Sequence, residues 1–201
     1  MRNFFESSHF DWPLLRDSLH VYVLPDERFS ATVQPVVGAI AAFDGCAAVA
    51  PPWQHATVTR IPWWRGEVDA AAVDRFAAAL TAIAADTARF ALEMQGPLLH
   101  DLGVGVLAAE GPEWKQLHTA VRNAAVEVFG AERPLPPPPP MPHVSLGYGI
   151  AERDSGPLER SLSDIRTPAV VTVDALHFLS VHADPEAGTF TWDPISSHPL
   201  R

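Results

Sequence analysis

At 201 residues, 47% hydrophobic and 19% charged, the chain has the composition of a soluble globular protein long enough to bury a real core. Its 14 Lys and Arg stand against 24 Asp and Glu, a net charge of -10 with no basic stripe, which argues against a protein that tracks long nucleic acid. There is no apolar run of about 18 residues to span a membrane and no apolar leader at the start, and the lone Cys46 cannot pair within the chain, so a cytoplasmic protein is expected.

Residues 19–24, "LHVYVL", alternate and are stopped by Pro25, which predicts a strand. Residues 32–43 set Val33, Val36, Val37, Ile40 and Ala41 on one helical face, ending near Gly45. "WQHATVTRI", 53–61, is rich in β-branched residues and reads as a second strand. From Asp69 an amphipathic helix carries Val73, Phe76, Ala77, Leu80, Ile83 and Ala84, and "FALEMQ", 90–95, follows as a strand.

The order then repeats. Residues 102–109 predict a strand, and Pro112 opens a helix with Trp114, Leu117, Val121, Ala124 and Val128 on one face and Gly130 beyond its end. "HVSLGYG", 143–149, is the next strand, and 158–165 a shorter helix. Residues 170–182 read as one long strand, with 189–195 as its hairpin partner. Each half gives strand, helix, strand, helix, strand. The expectation is a single domain, 1–201, of interleaved lobes: half-repeats of about 19–96 and 102–182 behind an N-terminal extension, 1–18.

The second strand of each half carries His-x-Thr or His-x-Ser. In a chain with nine His, chance alone supplies about one such triplet. Their matching positions in the two halves are the stronger signal. In a strand, residues i and i+2 share a face about 7 Å apart. His55 with Thr57, and His143 with Ser145, can therefore each present an imidazole and a hydroxyl to one phosphate. Histidine can serve as base or acid near neutral pH, and neutral hydroxyls can bind phosphate oxygens.

"HATV" at 55–58 and "PHVSL" at 142–146 resemble the paired motifs of the 2H phosphoesterase superfamily, closest to its 2'-5' RNA ligase-like branch, which includes the RNA 2',3'-cyclic phosphodiesterases. The resemblance runs from about residue 19 to 200. It implies an α+β, bilobal fold: two pseudo-symmetric lobes, with antiparallel-rich sheets flanked by helices, around a central cleft. It further implies metal-independent hydrolysis of a 2',3'-cyclic phosphate, on a small nucleotide or a short RNA end, with no cofactor. In that reading His143 is the base, His55 the acid, and Thr57 and Ser145 hold the phosphate; sequence alone does not set the polarity. Two departures stand out: Gln54 precedes the first motif where the family usually has an apolar residue, and Tyr148 stands where relatives often carry an Arg.

Arg60 is a candidate phosphate ligand, although strict alternation turns it away from His55 unless a bulge re-aims it. Tyr148, Trp53, Trp63 and Trp64 are candidate base-stacking residues. His177 and His182, five apart on a strand, face opposite ways and make a poor metal site, so no metal is expected. The run 136–140 of five prolines reads as a stiff loop leading into the motif strand, and Cys46 as inert. Alternatives are a non-catalytic nucleotide- or RNA-end-binding member of the same fold, a 2'-5' phosphodiester hydrolase or ligase, and a metal-dependent hydrolase using other His and Asp residues.

Overall fold

The described residues form one nine-stranded sheet with four α-helices. The computed structural model describes residues 1–7, 16–139 and 141–201. In chain order the elements are β1 (Ser18–Val23), α1 (Glu27–Ala41), β2 (Cys46–Ala48), β3 (Ala56–Trp64), α2 (Ala70–Asp86), β4 (Phe90–His100) and β5 (Gly103–Leu107). There follow α3 (Pro112–Phe129), β6 (His143–Gly149), α4 (Gly156–Leu162), β7 (Ala169–Val173), β8 (Ala175–Asp184) and β9 (Thr189–Pro199). Every pairing is antiparallel, in the order β7-β4-β5-β6-β3-β1-β8-β9, with β2 added to β6. This is the expected α+β class with an antiparallel sheet.

β3 and β6 meet in the middle of this order, joined by the pair Ala56 and Val144. The helices cross over between the two sides. α1, from the first half of the chain, packs against β2, β6, β7 and α4, while α3, from the second half, packs on β3 and α2. Leu19, Val21, Val23, Ala56, Val58, Val104, Val106, Val144, Leu146, Leu176 and Phe178 are essentially buried, in one cluster with the helices' apolar faces. Phe76 of α2 meets the Phe178 ring edge-on at 5.0 Å, an aromatic contact that adds about 0.5–1.5 kcal/mol to area burial. Phe5, Tyr22, Val49, Tyr148, Leu179, Val181 and Phe190 form a second, separate cluster.

Several boundaries differ from the sequence reading. Residues 170–182 are two strands, not one: β7 pairs with β4 at one edge of the order, whereas β8 lies between β1 and β9. The pattern changes phase at the break, from buried Val171 and Val173 to buried Leu176 and Phe178. α1 begins five residues before the expected start, because the Asp26 side chain caps it by accepting from the Phe29 N–H at 2.8 Å. Trp53 ends a short 3-10 turn, Pro51–Trp53, so β3 starts after His55. β4 runs to His100 rather than 95. β2 has no counterpart in the sequence reading. It lies against β6 because Gly147 has no side chain: a Cβ there would sit 2.8 Å from Ile40 Cγ2 and 2.9 Å from Cys46 Sγ.

Of the proline run, 136–139 is described and Pro140 lies outside the described residues. Arg122 of α3 donates to the Pro136 carbonyl at 2.9 Å and to Thr59 Oγ1 at 3.3 Å, which ties the loop to the back of β3. Within the N-terminal extension, residues 8–15 lie outside the described set.

Candidate active site

The two motif strands have the same irregularity. On β3, Tyr22 faces Thr57 but Val21 faces Thr59, so Val58 is an extra residue. On β6, Gly105 faces Ser145 but Val104 faces Gly147, so Leu146 is extra. Each bulge follows the motif hydroxyl by one residue, and both extra residues are buried in the main core. The consequence is a change of parity. Arg60 comes opposite His20, on the face of β1 that carries Tyr22 opposite Thr57. Tyr148 is re-aimed in the same way relative to Ser145. Arg60 and Tyr148 are thus equivalent positions, each five residues after its motif histidine.

β3 and β6 are antiparallel about the pair Ala56 and Val144. That register sets His55 toward Ser145 and Thr57 toward His143, on either side of the pair. The two rings are held alike. His55 Nδ1 lies 3.0 Å from the Trp53 carbonyl, and His143 Nδ1 lies 3.1 Å from the Met141 carbonyl, each two residues upstream. A carbonyl can only accept, so Nδ1 carries the proton in both rings and Nε2 holds the lone pair when the ring is neutral.

Around His55 the structure assembles residues that strand patterning alone did not single out. The Tyr22 ring stacks on it at 4.0 Å and 15°, and Trp192 meets it edge-on at 5.3 Å. The Tyr22 hydroxyl bonds His20 Nδ1 at 2.6 Å, and His20 Nε2 bonds Ser18 Oγ at 3.0 Å. Burial lowers His55 to a pKa of about 4, opposed by the Trp53 carbonyl and reinforced by His143. Burial also lowers His20, with further contributions from Arg60 and His55, and it lowers the Arg60 guanidinium, opposed by Tyr22. The signal existed in "SLHVYV": Ser18, His20 and Tyr22 alternate with Leu19, Val21 and Val23, which places three polar groups on one face.

The aromatic candidates separate. Trp53 packs edge-on against Trp192 at 5.0 Å and so borders His55. Trp63 does not join it: its ring packs on the main core with the Arg133 guanidinium 4.1 Å from its centroid. Trp64 lies opposite Ser18 at the far end of β3, with Arg133 5.5 Å from its ring. Eight or nine strand residues place both about 25–30 Å along the chain from His55. Tyr148 is 7% exposed and surrounded by Phe4, Phe5 and Phe190, with centroids at 4.8, 5.9 and 5.3 Å, so packing occupies its ring. Burial pushes its phenol up to about 12, opposed by a hydrogen bond with Ser145.

The remaining candidates lie elsewhere. His182 is engaged by the Asp17 N–H at 3.2 Å and by Asp193 at 3.1 Å. His177 is lowered by burial, opposed by Asp174. Among the described residues no three His, Cys, Asp or Glu are grouped to hold a metal ion, and no helix is long and apolar enough to cross a membrane. Cys46 is buried, its thiol pushed up to about 12, which leaves it unreactive.

A sequence model described as the 2'-5' RNA ligase superfamily matches residues 25–185. No curated protein matches significantly. Among solved structures, TT0787 of Thermus thermophilus superposes with a TM-score of 0.72 at 18% identity, over 92% of this chain and 98% of that one. LigT of E. coli in apo form does so at 0.62 and 16% identity, with the same coverage, and has also been solved with 3'-AMP, ATP, NADP+ and phosphate. Usb1 of Kluyveromyces marxianus is more distant, at 0.51 and 13% identity over 90% and 99%. At these identities the likeness is one of fold.

Proposed function

We propose, from the premise that this chain belongs to the 2'-5' RNA ligase superfamily, that it is a phosphodiesterase opening a 2',3'-cyclic phosphate on a small nucleotide or short RNA end. The observation that carries the reading is the matched pair of histidines. Each has its Nδ1 tied to the carbonyl two residues upstream, and the two strands meet at Ala56 and Val144. In this reading residues 1–201 act as one domain, with the strands either side of that junction as two pseudo-symmetric lobes and the histidines in the cleft between them.

The reaction needs a base for water, an acid for the leaving ribose oxygen and donors for the non-bridging oxygens. His55 and His143 fill the two proton roles through Nε2, and the Thr57 and Ser145 hydroxyls donate to the phosphate. A bond forms from water oxygen to phosphorus, one ribose oxygen leaves with a proton, and a nucleoside monophosphate results; by family resemblance the phosphate stays on the 2'-oxygen. No step requires a metal. Arg60, brought by its bulge to the face of Thr57, adds a positive charge for the phosphate. Trp53 and Trp192, beside His55, offer a flat surface for a base. The nucleotide complexes of LigT support a nucleotide as the ligand class.

The test is a screen of 2',3'-cyclic nucleotides, 2'-5' linked dinucleotides and short RNAs ending in a cyclic phosphate, with product regiochemistry assigned. Turnover of cyclic ends with a chelator present supports the reading. Binding without turnover would assign the chain to the nucleotide-binding alternative instead.

A further inference from the structure

We infer that Tyr148 is a positioning residue for the second motif: its hydroxyl donates to Ser145 Oγ, which leaves the Ser145 proton for the phosphate, and Phe4 and Phe5 of the N-terminal extension hold its ring in that pose. The inference rests on the reading of Ser145 as a phosphate donor given above.

On an unbroken strand, residues three apart face opposite ways, and Tyr148 would turn away from Ser145. The bulge at Leu146 returns the two to one face. There the phenol, 7% exposed, shares a hydrogen bond with the side chain of Ser145, which is half-buried. Thr57 and Arg60 stand in the same relation on β3. Each motif hydroxyl therefore has its own companion, a guanidinium in one half and a phenol in the other.

A hydroxyl has one proton to give and two lone pairs with which to accept. Phosphate oxygens only accept. Ser145 can therefore serve them only with a proton that its bond to Tyr148 leaves free, which requires the phenol to be the donor. Burial pushes that phenol up to about 12, so its proton is in place across the neutral range. Donation into Oγ also polarises the Ser145 O–H, since hydrogen bonds in a chain strengthen one another.

The ring is held by segments far apart in sequence. The Arg2 N–H donates to the Asp101 carbonyl at 2.6 Å, and the Arg153 N–H donates to the Met1 carbonyl at 3.0 Å. Gly149, next to Tyr148, lets the N-terminal backbone approach β6, because a Cβ there would collide with the Arg2 carbonyl oxygen. These contacts seat Phe4 and Phe5 with centroids 4.8 and 5.9 Å from the Tyr148 ring, and Phe190 of β9 meets the same ring at 5.3 Å. The extension thus reaches the phosphate through two side chains, Tyr148 and then Ser145.

The experiment is a double-mutant cycle on adenosine 2',3'-cyclic phosphate, with kcat measured for Tyr148→Phe, Ser145→Ala and the two combined. Tyr148→Phe keeps the packed ring and should lower kcat by roughly 5-fold, the size of one hydrogen bond. Ser145→Ala should lower it by about 10–100-fold, and the double variant should match Ser145→Ala within ~2-fold, because Tyr148 acts only through that hydroxyl. Losses that multiply in the double variant, or a Tyr148→Phe enzyme as fast as the parent or faster, overturn the inference and leave the phosphate role of Ser145 standing. No loss in Ser145→Ala overturns that role, and this inference with it. The same cycle with Phe4→Ala, a half-buried position, tests the brace and stands even if Tyr148→Phe fails to fold. Phe4→Ala should slow the parent by about 2–5-fold and leave Ser145→Ala unchanged. An equal loss in both backgrounds, or none in the parent, overturns the role of the extension.

Discussion

Acid should weaken the folded state through His55, by an amount the structure sets. Burial lowers this ring from 6.5 to about 4, so between those values the unfolded chain binds a proton that the folded chain refuses. The contribution of His55 is therefore fully present above 6.5 and is lost as pH falls toward and through 4. At ~1.4 kcal/mol per pH unit, the gap of about 2.5 units amounts to roughly 3 kcal/mol. The assay is urea unfolding of the parent and His55→Gln across about pH 7 to pH 4, read as the difference between the two stability curves. His20, His177 and His198 are also lowered by burial, but they are present in both proteins and largely cancel in that difference. The parent should lose about 3 kcal/mol more than the variant over this range. Parallel curves would refute the claim that His55 is buried in its neutral form.

Other substitutions test the surrounding parts. If Arg60 binds the phosphate as proposed, Arg60→Met should lower kcat/KM by about 10–100-fold with little change in Tm, through loss of a charge-assisted contact; unchanged kinetics would return Arg60 to a structural role. Thr57→Val and Ser145→Ala should each reduce kcat by about 10–100-fold, toward the low end of what one oxyanion donor supplies, as measured under saturating substrate. Gly147→Ala should destabilise by about 1–3 kcal/mol in urea unfolding, because the added methyl meets Ile40, Cys46 and the Ala47 carbonyl. A neutral result there would mean that β2 gives way more easily than its packing indicates.

Much of this was legible in the sequence, and the parts that were not have physical reasons. Strand alternation and helical faces are local signals, so β1, β3, β6, α2 and α3 could be read within a few residues. The break at Asp174 was hidden because β7 and β8 each bury one face, and an apolar pattern does not say which neighbour it is buried against. The His55 and His143 motifs were visible as matched spacing. Arg60 needed the bulge at Val58, which is a property of register with β1 and not of β3 alone. Tyr22 and Trp192 lie far from His55 in the chain and meet it through sheet order, so a scan of neighbouring residues passes over them. Tyr148 shows the converse. Its position suggested a stacking surface, but Phe4, Phe5 and Phe190 cover it from three distant segments.

The central claim is that His55 and His143 act together on one phosphate, and single-turnover hydrolysis of a 2',3'-cyclic nucleotide by the two single His→Ala variants tests it most directly. Each substitution should slow turnover at least ~100-fold while leaving the fold intact by circular dichroism. Near-parental rates from both variants would contradict the account.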